Sequence, residues 1–305
     1  MIGLVVAVIA VSVAAGVAIE RRSRIDARRV SRLIVRFVLW FAVPFASFFI
    51  VARLELTVGV GVGLGLAYVV QAAVGVAAYL IGSRLLRLPR PAVGALICCV
   101  MLSNTGFLGV PLVAALLGPG ALGPAVAFDA AVSGPMFVVA GFLVGAAFSP
   151  RPAASGAARL RAFLRNPPLY AVIAGLLAPD ALAPDVLLDV AHVLVYALLP
   201  VGFLLVGITL ATEAEDGALG LPPRLDAPVA TVMGLRLVLA PLLMLGLSAM
   251  IVDVPDAYLV QAAMPSAINS LVLAHAYLLD LRLAAAAVSW TTAAALPIAV
   301  VAGAL

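Results

Sequence analysis

Residues 103–111 read Ser-Asn-Thr-Gly-Phe-Leu-Gly-Val-Pro and lie in the middle of an apolar run that extends from about residue 92 to 117. Two glycines lower the helix preference of this stretch, and Pro111 removes a backbone amide and clashes with the preceding turn. Asn104 and Thr105 offer side-chain oxygens where backbone groups are freed. The stretch therefore predicts a helix that is broken in the middle of the run.

A second stretch of the same kind lies in the other half of the chain. Residues 264–270 read Met-Pro-Ser-Ala-Ile-Asn-Ser, again with a proline, an asparagine and two hydroxyl side chains. If the two unwound segments cross, they place helix N-termini of roughly +0.5 charge and free carbonyls at one depth. The N-termini suit a carboxylate and the carbonyls a small cation. A proline kink with ordinary interhelical hydrogen bonds is the alternative, but two equivalent breaks favour a functional site.

Both stretches belong to a chain whose composition is that of a membrane protein. Hydrophobic residues make up 65% of its 305 residues and charged residues 10%, against about 45–50% and about 25% in soluble proteins. With so few charges, the outer surface must face lipid. A helix needs about 20 apolar residues to cross the bilayer, and the sequence predicts ten spans, at about 2–19, 33–52, 58–82, 92–117, 121–148, 164–179, 187–211, 228–251, 256–278 and 283–304.

The arginines predict the orientation of these spans. The chain has 18 basic residues, all of them arginine, and sixteen lie in loops on one side of the predicted membrane. By the positive-inside rule this side is cytoplasmic, so both termini are predicted outside the cytoplasm, in a multi-pass protein of the cytoplasmic (inner) membrane. Because the arginines lie in short loops between apolar runs, the net charge of +4 indicates membrane orientation and not a nucleic-acid partner.

The ten predicted spans divide into two groups of five. A Pro/Ser/Ala/Gly stretch at 149–156 separates a first repeat at 1–150 from a second at 157–305. Because five is odd, the second repeat is inverted in the membrane. Val43-Pro44-Phe45 in span 2 corresponds to the segment 199–203 in span 7, and the broken spans 4 and 9 also correspond. Inverted repeats with matching broken helices are typical of secondary transporters with a site near the bilayer midplane.

The motifs of the two broken spans resemble those of the auxin efflux carrier family. The resemblance rests on Asn-Thr-Gly-Phe-Leu-Gly-Val-Pro at 104–111 and Met-Pro-Ser-Ala-Ile-Asn-Ser-Leu-Val-Leu-Ala at 264–274, followed by Tyr277 and Asp280. The family includes bacterial malate and malonate permeases and plant PIN-type carriers, and it is similar in fold to bile-acid sodium symporters and sodium/proton antiporters. The resemblance implies an all-α fold of ten transmembrane helices, with crossed helices 4 and 9. It also implies a transport domain of spans 3–5 and 8–10 that moves against a scaffold of spans 1, 2, 6 and 7.

Together with the inverted repeats, the resemblance implies secondary active transport of a small organic anion (a carboxylate, a dicarboxylate or an auxin-like weak acid) by an elevator mechanism. The predicted partners are this anion, the lipid bilayer and a second copy of the chain, joined through the scaffold helices. No metal or organic cofactor is expected, and the coupling ion is Na⁺ or H⁺, at Asp129, Asn104 and Asn269. The predicted substrate-binding residues are Asn104, Thr105, Gly106, Gly109, Pro111, Arg236, Pro265, Ser266, Asn269 and Ser270.

Two charged residues inside predicted spans allow two interpretations each. A charge at the bilayer centre costs at least about 2.5–3.5 kcal/mol. Arg236 in span 8 either coordinates the anion or extends its side chain to the inner interface. Asp129 in span 5 is either a proton or cation site or a carboxylate near the outer rim.

Other classes of protein fit the sequence less well. The chain has no His-Glu-x-x-His zinc motif, no pair of membrane aspartates and no Asp-rich metal–diphosphate motif, so we do not expect an enzyme. A cation/proton antiporter of the same fold is expected to carry an acidic pair in a middle span, where only Asp129 is available. A membrane sensor without transport stays open as an alternative.

Overall fold

A computed structural model describes residues 2–22, 33–34, 36–55, 57–150, 167–215 and 223–302. Within these ranges the regular structure is helical, apart from one isolated β-bridge. Most of the predicted divide at 149–156 and of the arginine-rich loop after span 1 lies outside the described residues. The helices are α1 (Ile2–Arg22), α2 (38–52), α3 (Val58–Leu85), α4 (Arg90–Met101), α5 (Thr105–Leu117), α6 (122–148), α7 (Pro167–Leu177), α8 (Asp185–Glu215), α9 (Ala227–Ile251), α10 (Asp256–Ala262), α11 (Asn269–Tyr277) and α12 (Leu281–Ala302).

Several of these helices are long and apolar enough to cross a membrane. Among the described residues there are four such segments, at Val58–Leu85, Asp185–Leu205, Ala227–Ile251 and Leu281–Ile298. Four shorter apolar helices accompany them, at Trp40–Ala52, Arg90–Met101, Thr105–Leu117 and Val139–Phe148. The chain is therefore an all-helical, multi-pass membrane protein. The arrangement of ten spans in two inverted repeats stays a prediction.

Helix α4 lies at the centre of the fold. Every residue from 92 to 100 is buried, and α3, α6 and α12 pack against this helix. A helix that is apolar on all sides is buried on all sides, and the sequence of α4 (Arg-Pro-Ala-Val-Gly-Ala-Leu-Ile-Cys-Cys-Val-Met) has small side chains that allow this close packing. The end of α4 is therefore held deep inside the protein.

Widened π-turns precede prolines in four of the described helices. In each case the π-turn ends two residues before a proline, so the carbonyl four residues before the proline lies inside the turn. Proline cannot donate to that carbonyl, and its ring clashes with it. The helix relieves the clash by bonding each amide five residues back, as Val110 does to the Thr105 carbonyl. The four pairs are Val38–Ala42 with Pro44, Thr105–Gly109 with Pro111, Asp129–Ser133 with Pro135, and Leu235–Leu239 with Pro241.

Glycines bring α1 and α8 into close contact. A Cβ atom on Gly16 would lie 2.2 Å from the Leu204 carbonyl oxygen, and a Cβ atom on Gly207 would lie 2.2 Å from the Val13 carbonyl oxygen. Small residues at a helix interface let the two backbones approach closely in a membrane. The α1–α8 pair therefore has a fixed, backbone-to-backbone packing.

Candidate functional site

Both helices predicted to be broken are interrupted in the structure. Predicted span 4 consists of α4 and α5, separated by the unwound residues 102–104. Predicted span 9 consists of α10 and α11, separated by the unwound residues 263–268. We call the place where the two unwound segments meet the crossing.

The crossing is built by backbone hydrogen bonds. The Asn104 amide donates to the Pro265 carbonyl at 2.8 Å, and the Ala267 amide donates to the Leu102 carbonyl at 2.8 Å. The two bonds flank a short antiparallel bridge. Unwound backbone inside a membrane protein is tolerated only where its polar groups find partners, and here each segment supplies the partners of the other. The structure thus brings together the two stretches that the sequence singled out.

The serines of the second segment fasten it to the end of α4. The Ser266 hydroxyl donates to the Cys99 carbonyl at 2.7 Å, and the Ser270 hydroxyl donates to the Cys98 carbonyl at 3.3 Å. The Ser266 amide in turn donates to Thr291 Oγ1 on α12. Both serines are fully buried. Their hydroxyls therefore satisfy carbonyls of α4 and are oriented toward protein.

Arg236 lies on a π-turn of α9 with 0% of its surface exposed. Its Nε donates to the Met264 carbonyl at 2.8 Å and its Nη2 to the Ala262 carbonyl at 2.5 Å. Its Nη1 donates to Gln71 Oε1 at 2.9 Å and to the Val100 carbonyl at 3.3 Å. These carbonyls lie at the C-terminal ends of α4 and α10, where a cation is favoured.

The contacts of Arg236 differ from those expected of an anion ligand and from those expected of a side chain that extends to the inner interface. Its side chain does not extend to an interface, and protein acceptors occupy four of the five N–H groups of the guanidinium. The arginine thus neutralises two helix ends and ties α9 to the crossing. Gln71 on α3 takes part as well, since its Nε2 donates to Ser103 Oγ at 3.4 Å.

The side chain of Asp129, on α6, contacts the first turn of α5. Thr105 Oγ1 donates to Asp129 Oδ1 at 2.5 Å. A Cβ atom on Gly106 would lie 3.1 and 3.2 Å from the two carboxylate oxygens, so the missing side chain of this glycine makes room for the carboxylate. No residue in the described ranges forms an ion pair with Asp129. Asp129 is therefore part of the crossing region.

Gln261 on α10 also contacts α5. Its Nε2 donates to the Thr105 carbonyl at 3.4 Å and to the Ala125 carbonyl at 3.1 Å. Its Oε1 is buried without a hydrogen-bond partner among the described residues. A Cβ atom on Gly109 would lie only 2.0 Å from this oxygen, so a larger residue at this position would displace the Gln261 side chain.

The two asparagines differ in their surroundings. Asn104 is 5% exposed and precedes the π-turn of α5. Its backbone carbonyl accepts from the Gly109 amide at 3.0 Å, whereas its side chain makes no capping hydrogen bond with the helix. Asn269 begins α11 and is exposed. Between α5 and α8, Phe107 packs closely on Gly202, where a Cβ atom would lie 2.6 Å from the phenylalanine side chain. The start of α5 therefore faces α8 at Gly202, which lies two residues after Pro200.

Two buried glutamines of the site were not predicted from the sequence. Gln71 and Gln261 are single amides within apolar runs, and a buried amide requires hydrogen-bond partners. That signal was present in the sequence, but the partners, Arg236, Ser103 and the Thr105 carbonyl, are distant along the chain. The described residues contain no cluster of three or more His, Cys, Asp or Glu side chains that could hold a metal ion.

This architecture, with two broken helices crossing inside an apolar helical protein, defines a membrane transport protein. A family model described as "Membrane transport protein" matches the chain twice, over residues 1–152 and 149–302. The chain belongs to this family, the auxin efflux carrier family. It is also 29% identical over 237 residues to an uncharacterized transporter of Methanocaldococcus jannaschii, a match that covers 72% of this chain and 70% of the relative.

Proposed function

We propose that the protein is a secondary active transporter that moves a small organic anion through the crossing by an elevator movement. The anion is a carboxylate, a dicarboxylate or an auxin-like weak acid. The observation that carries the proposal is the start of α5 at the crossing, where the Asn104 side chain makes no capping bond and the helix faces α8. Neither an enzymatic step nor an organic cofactor is part of the proposal.

The start of α5 has the chemistry that an anion needs. The first turn of a helix has amides without intrahelical acceptors and a partial positive charge, which together favour carboxylates and phosphates. The Asn104 side-chain amide adds a donor next to this turn. Gly106, which has no side chain, lies in the same turn against the Asp129 carboxylate. The substrate carboxylate accepts hydrogen bonds from these groups, while Asn269 at the start of α11 provides the corresponding group of the second repeat.

The other site residues hold this geometry in the proposal. Pro111 maintains the π-turn of α5, and Gly109 lets α5 pass Gln261. Ser266 and Ser270 fix the second segment to α4, and the Pro265 carbonyl joins it to the first segment by accepting from the Asn104 backbone amide. Arg236 acts through the crossing, because its N–H groups are occupied by carbonyls and Gln71.

The elevator movement takes place between two groups of helices. The scaffold consists of spans 1, 2, 6 and 7, and the packing of α1 along α8 and of α2 along α7 supports this grouping. The transport domain consists of spans 3–5 and 8–10, including the crossing. The repeats at 1–150 and 157–305 are inverted, and the two matched family ranges, which meet at 149–152, support this division. Both termini lie outside the cytoplasm, and two chains associate through their scaffolds in the inner membrane.

The test is uptake by purified protein in liposomes. Labelled monocarboxylates and dicarboxylates are screened under imposed Na⁺, H⁺ and voltage gradients, with protein-free liposomes as the baseline. We expect saturable, gradient-driven uptake of at least one organic anion, and a sharp loss of uptake by Asn104→Ala and Asn269→Ala. Val69→Ala is the matched control, because Val69 is an exposed apolar residue of α3. Cation exchange without uptake of any organic anion would favour the antiporter instead.

A further inference from the structure

The Asp129 carboxylate already occupies the helix terminus to which the substrate anion is assigned. Thr105, the first residue of α5, donates its hydroxyl to Asp129, and Gly106 lies against both carboxylate oxygens. A negative charge at a helix N-terminus is favourable. A second anion in the same place meets a fixed charge of its own sign.

Among the described residues, no cation forms an ion pair with the Asp129 carboxylate. The helices that pack against its π-turn and against the preceding turn of α6 are α2, α3, α5, α7 and α10. Tyr68 donates to the Ala131 carbonyl, the group freed by Pro135, and Arg53 at the end of α2 is held by the Ala183 carbonyl and Asp185. In the described part of these helices, the ionisable side chains near this region are Tyr68, Tyr170, Asp256, Tyr258 and Arg53.

We propose that Asp129 carries the coupling proton, so that the protein binds its organic anion only when this carboxylate is protonated. This inference rests on the proposed function and specifies its coupling. A proton adds to one oxygen of the Asp129 carboxylate on the side where the anion is loaded, and it leaves from the same oxygen on the side where the anion is released. No other bond forms or breaks, and anion and proton cross together.

The electrostatics of the site make the two binding events depend on each other. Two unit charges about 6 Å apart at an effective dielectric constant of about 20 weaken binding roughly a hundredfold. Protonation removes this repulsion and leaves the first turn of α5 to the substrate. The Thr105 hydroxyl both donates and accepts, so its contact with Asp129 persists in either state of the carboxyl group.

The pH dependence of substrate binding tests the proposal. Because the ionised form binds the anion roughly a hundredfold more weakly, the apparent Kd should rise about tenfold per pH unit once Asp129 is mostly ionised, and level off about a hundredfold higher. The variant Asp129→Asn has a neutral side chain of the same shape at this position. We expect this variant to bind at every pH with the Kd that the wild type has at low pH, to exchange substrate across liposomes, and to lose proton-driven accumulation.

Two further variants keep the test specific. Thr105→Val removes the donor that stabilises the ionised carboxylate, so the rise in Kd should begin at a higher pH. Ser133→Ala is the matched control, because Ser133 lies on the same π-turn and its hydroxyl has no partner among the described residues. A wild-type Kd that is independent of pH, or an Asp129→Asn variant that keeps the pH dependence, overturns the proposal. The proposal is also overturned if, at constant pH, the wild-type Kd depends on the Na⁺ concentration and the Kd of Asp129→Asn does not. That result would identify a sodium site.

A measurement without substrate separates this inference from the proposed function. Infrared difference spectroscopy of the purified protein during a pH titration should show a carboxylic-acid C=O band that is absent in Asp129→Asn. If no organic anion binds the wild type at any pH, the proposed function fails, and the infrared titration alone decides the proton site. Absence of the band at every pH overturns the proton proposal.

Discussion

At the scale of single residues, Arg236 both donates hydrogen bonds to buried carbonyls and places a positive charge at two helix ends. Its guanidinium satisfies the terminal carbonyls of α4 and α10, and its charge opposes the partial negative charge of both helix ends. Burying an arginine is costly unless its donors are satisfied, and the unwound segments provide the required acceptors. The arginine and the crossing therefore depend on each other.

Replacement of Arg236 should destabilise the protein. Arg236→Gln leaves several buried carbonyls without donors, at about 1–3 kcal/mol each, so we expect a large drop in Tm in detergent. Arg236→Lys keeps the charge and loses the planar fork, so its Tm should lie between those of the wild type and Arg236→Gln. Arg84→Gln, at an exposed position near the end of α3, is the control and should leave Tm nearly unchanged. Equal Tm values for all four proteins would contradict the structural role of Arg236.

At the scale of secondary structure, the crossing depends on helical turns that depart from the regular α-helical hydrogen-bond pattern. Pro111 produces the π-turn of α5, and Gly109 lies in that turn directly against Gln261. A π-turn is an uncommon local structure that occurs frequently at functional sites. Thr105, Asp129 and Arg236 all lie on such turns, so the irregular turns present the polar side chains of the site.

A methyl group at Gly109 should disturb the crossing. The new Cβ atom would lie 2.0 Å from Gln261 Oε1, and overpacking of this kind typically costs about 1–3 kcal/mol. We expect Gly109→Ala to lower Tm and to abolish uptake, and the added mutation Gln261→Ala to restore part of the Tm. Gly65→Ala is the matched control, because nothing lies within 4 Å of its Cβ position on α3. A Gly109→Ala protein with wild-type Tm and uptake would rule out this contact.

The sequence predicted the two interruptions because glycine and proline act locally on the helix. Residues 102–104 and 263–268 are unwound. Both ranges overlap the stretches that the sequence singled out, although Gly106, Gly109 and Pro111 of the first stretch lie in α5, after the break. The sequence did not predict the acceptors of Arg236 or the contact of Asp129 with Thr105, because both join residues that are far apart along the chain. The π-turns were not predicted from the sequence either, although the proline that lies two residues after the end of each of these four turns is a local signal for them.

At the scale of the whole molecule, the arginine asymmetry predicts which loops face the cytoplasm. Single cysteines at Ser23 and Ser155 should react with a membrane-impermeant thiol reagent only from the cytoplasmic side. A cysteine at Glu55 should react only from the outside. The parent protein is the control, because Cys98 and Cys99 are buried and should not react in intact cells. Labelling of Ser23→Cys or Ser155→Cys from the outside would reverse the proposed orientation.

The elevator movement makes a further prediction at this scale, at the contact between α5 and α8. Phe107 lies on the proposed transport domain and Gly202 on the proposed scaffold, and a Cβ atom on Gly202 would lie 2.6 Å from the Phe107 side chain. The Cβ atoms of a disulfide lie about 3.5–4.5 Å apart, so a small shift allows Phe107→Cys and Gly202→Cys to be joined. If the transport domain slides past α8, oxidation of the double variant should stop uptake and reduction should restore it. The two single variants control for loss of the native side chains. Wild-type uptake by the fully oxidised double variant would show that this contact persists through the transport cycle, and it would exclude a sliding movement between α5 and α8.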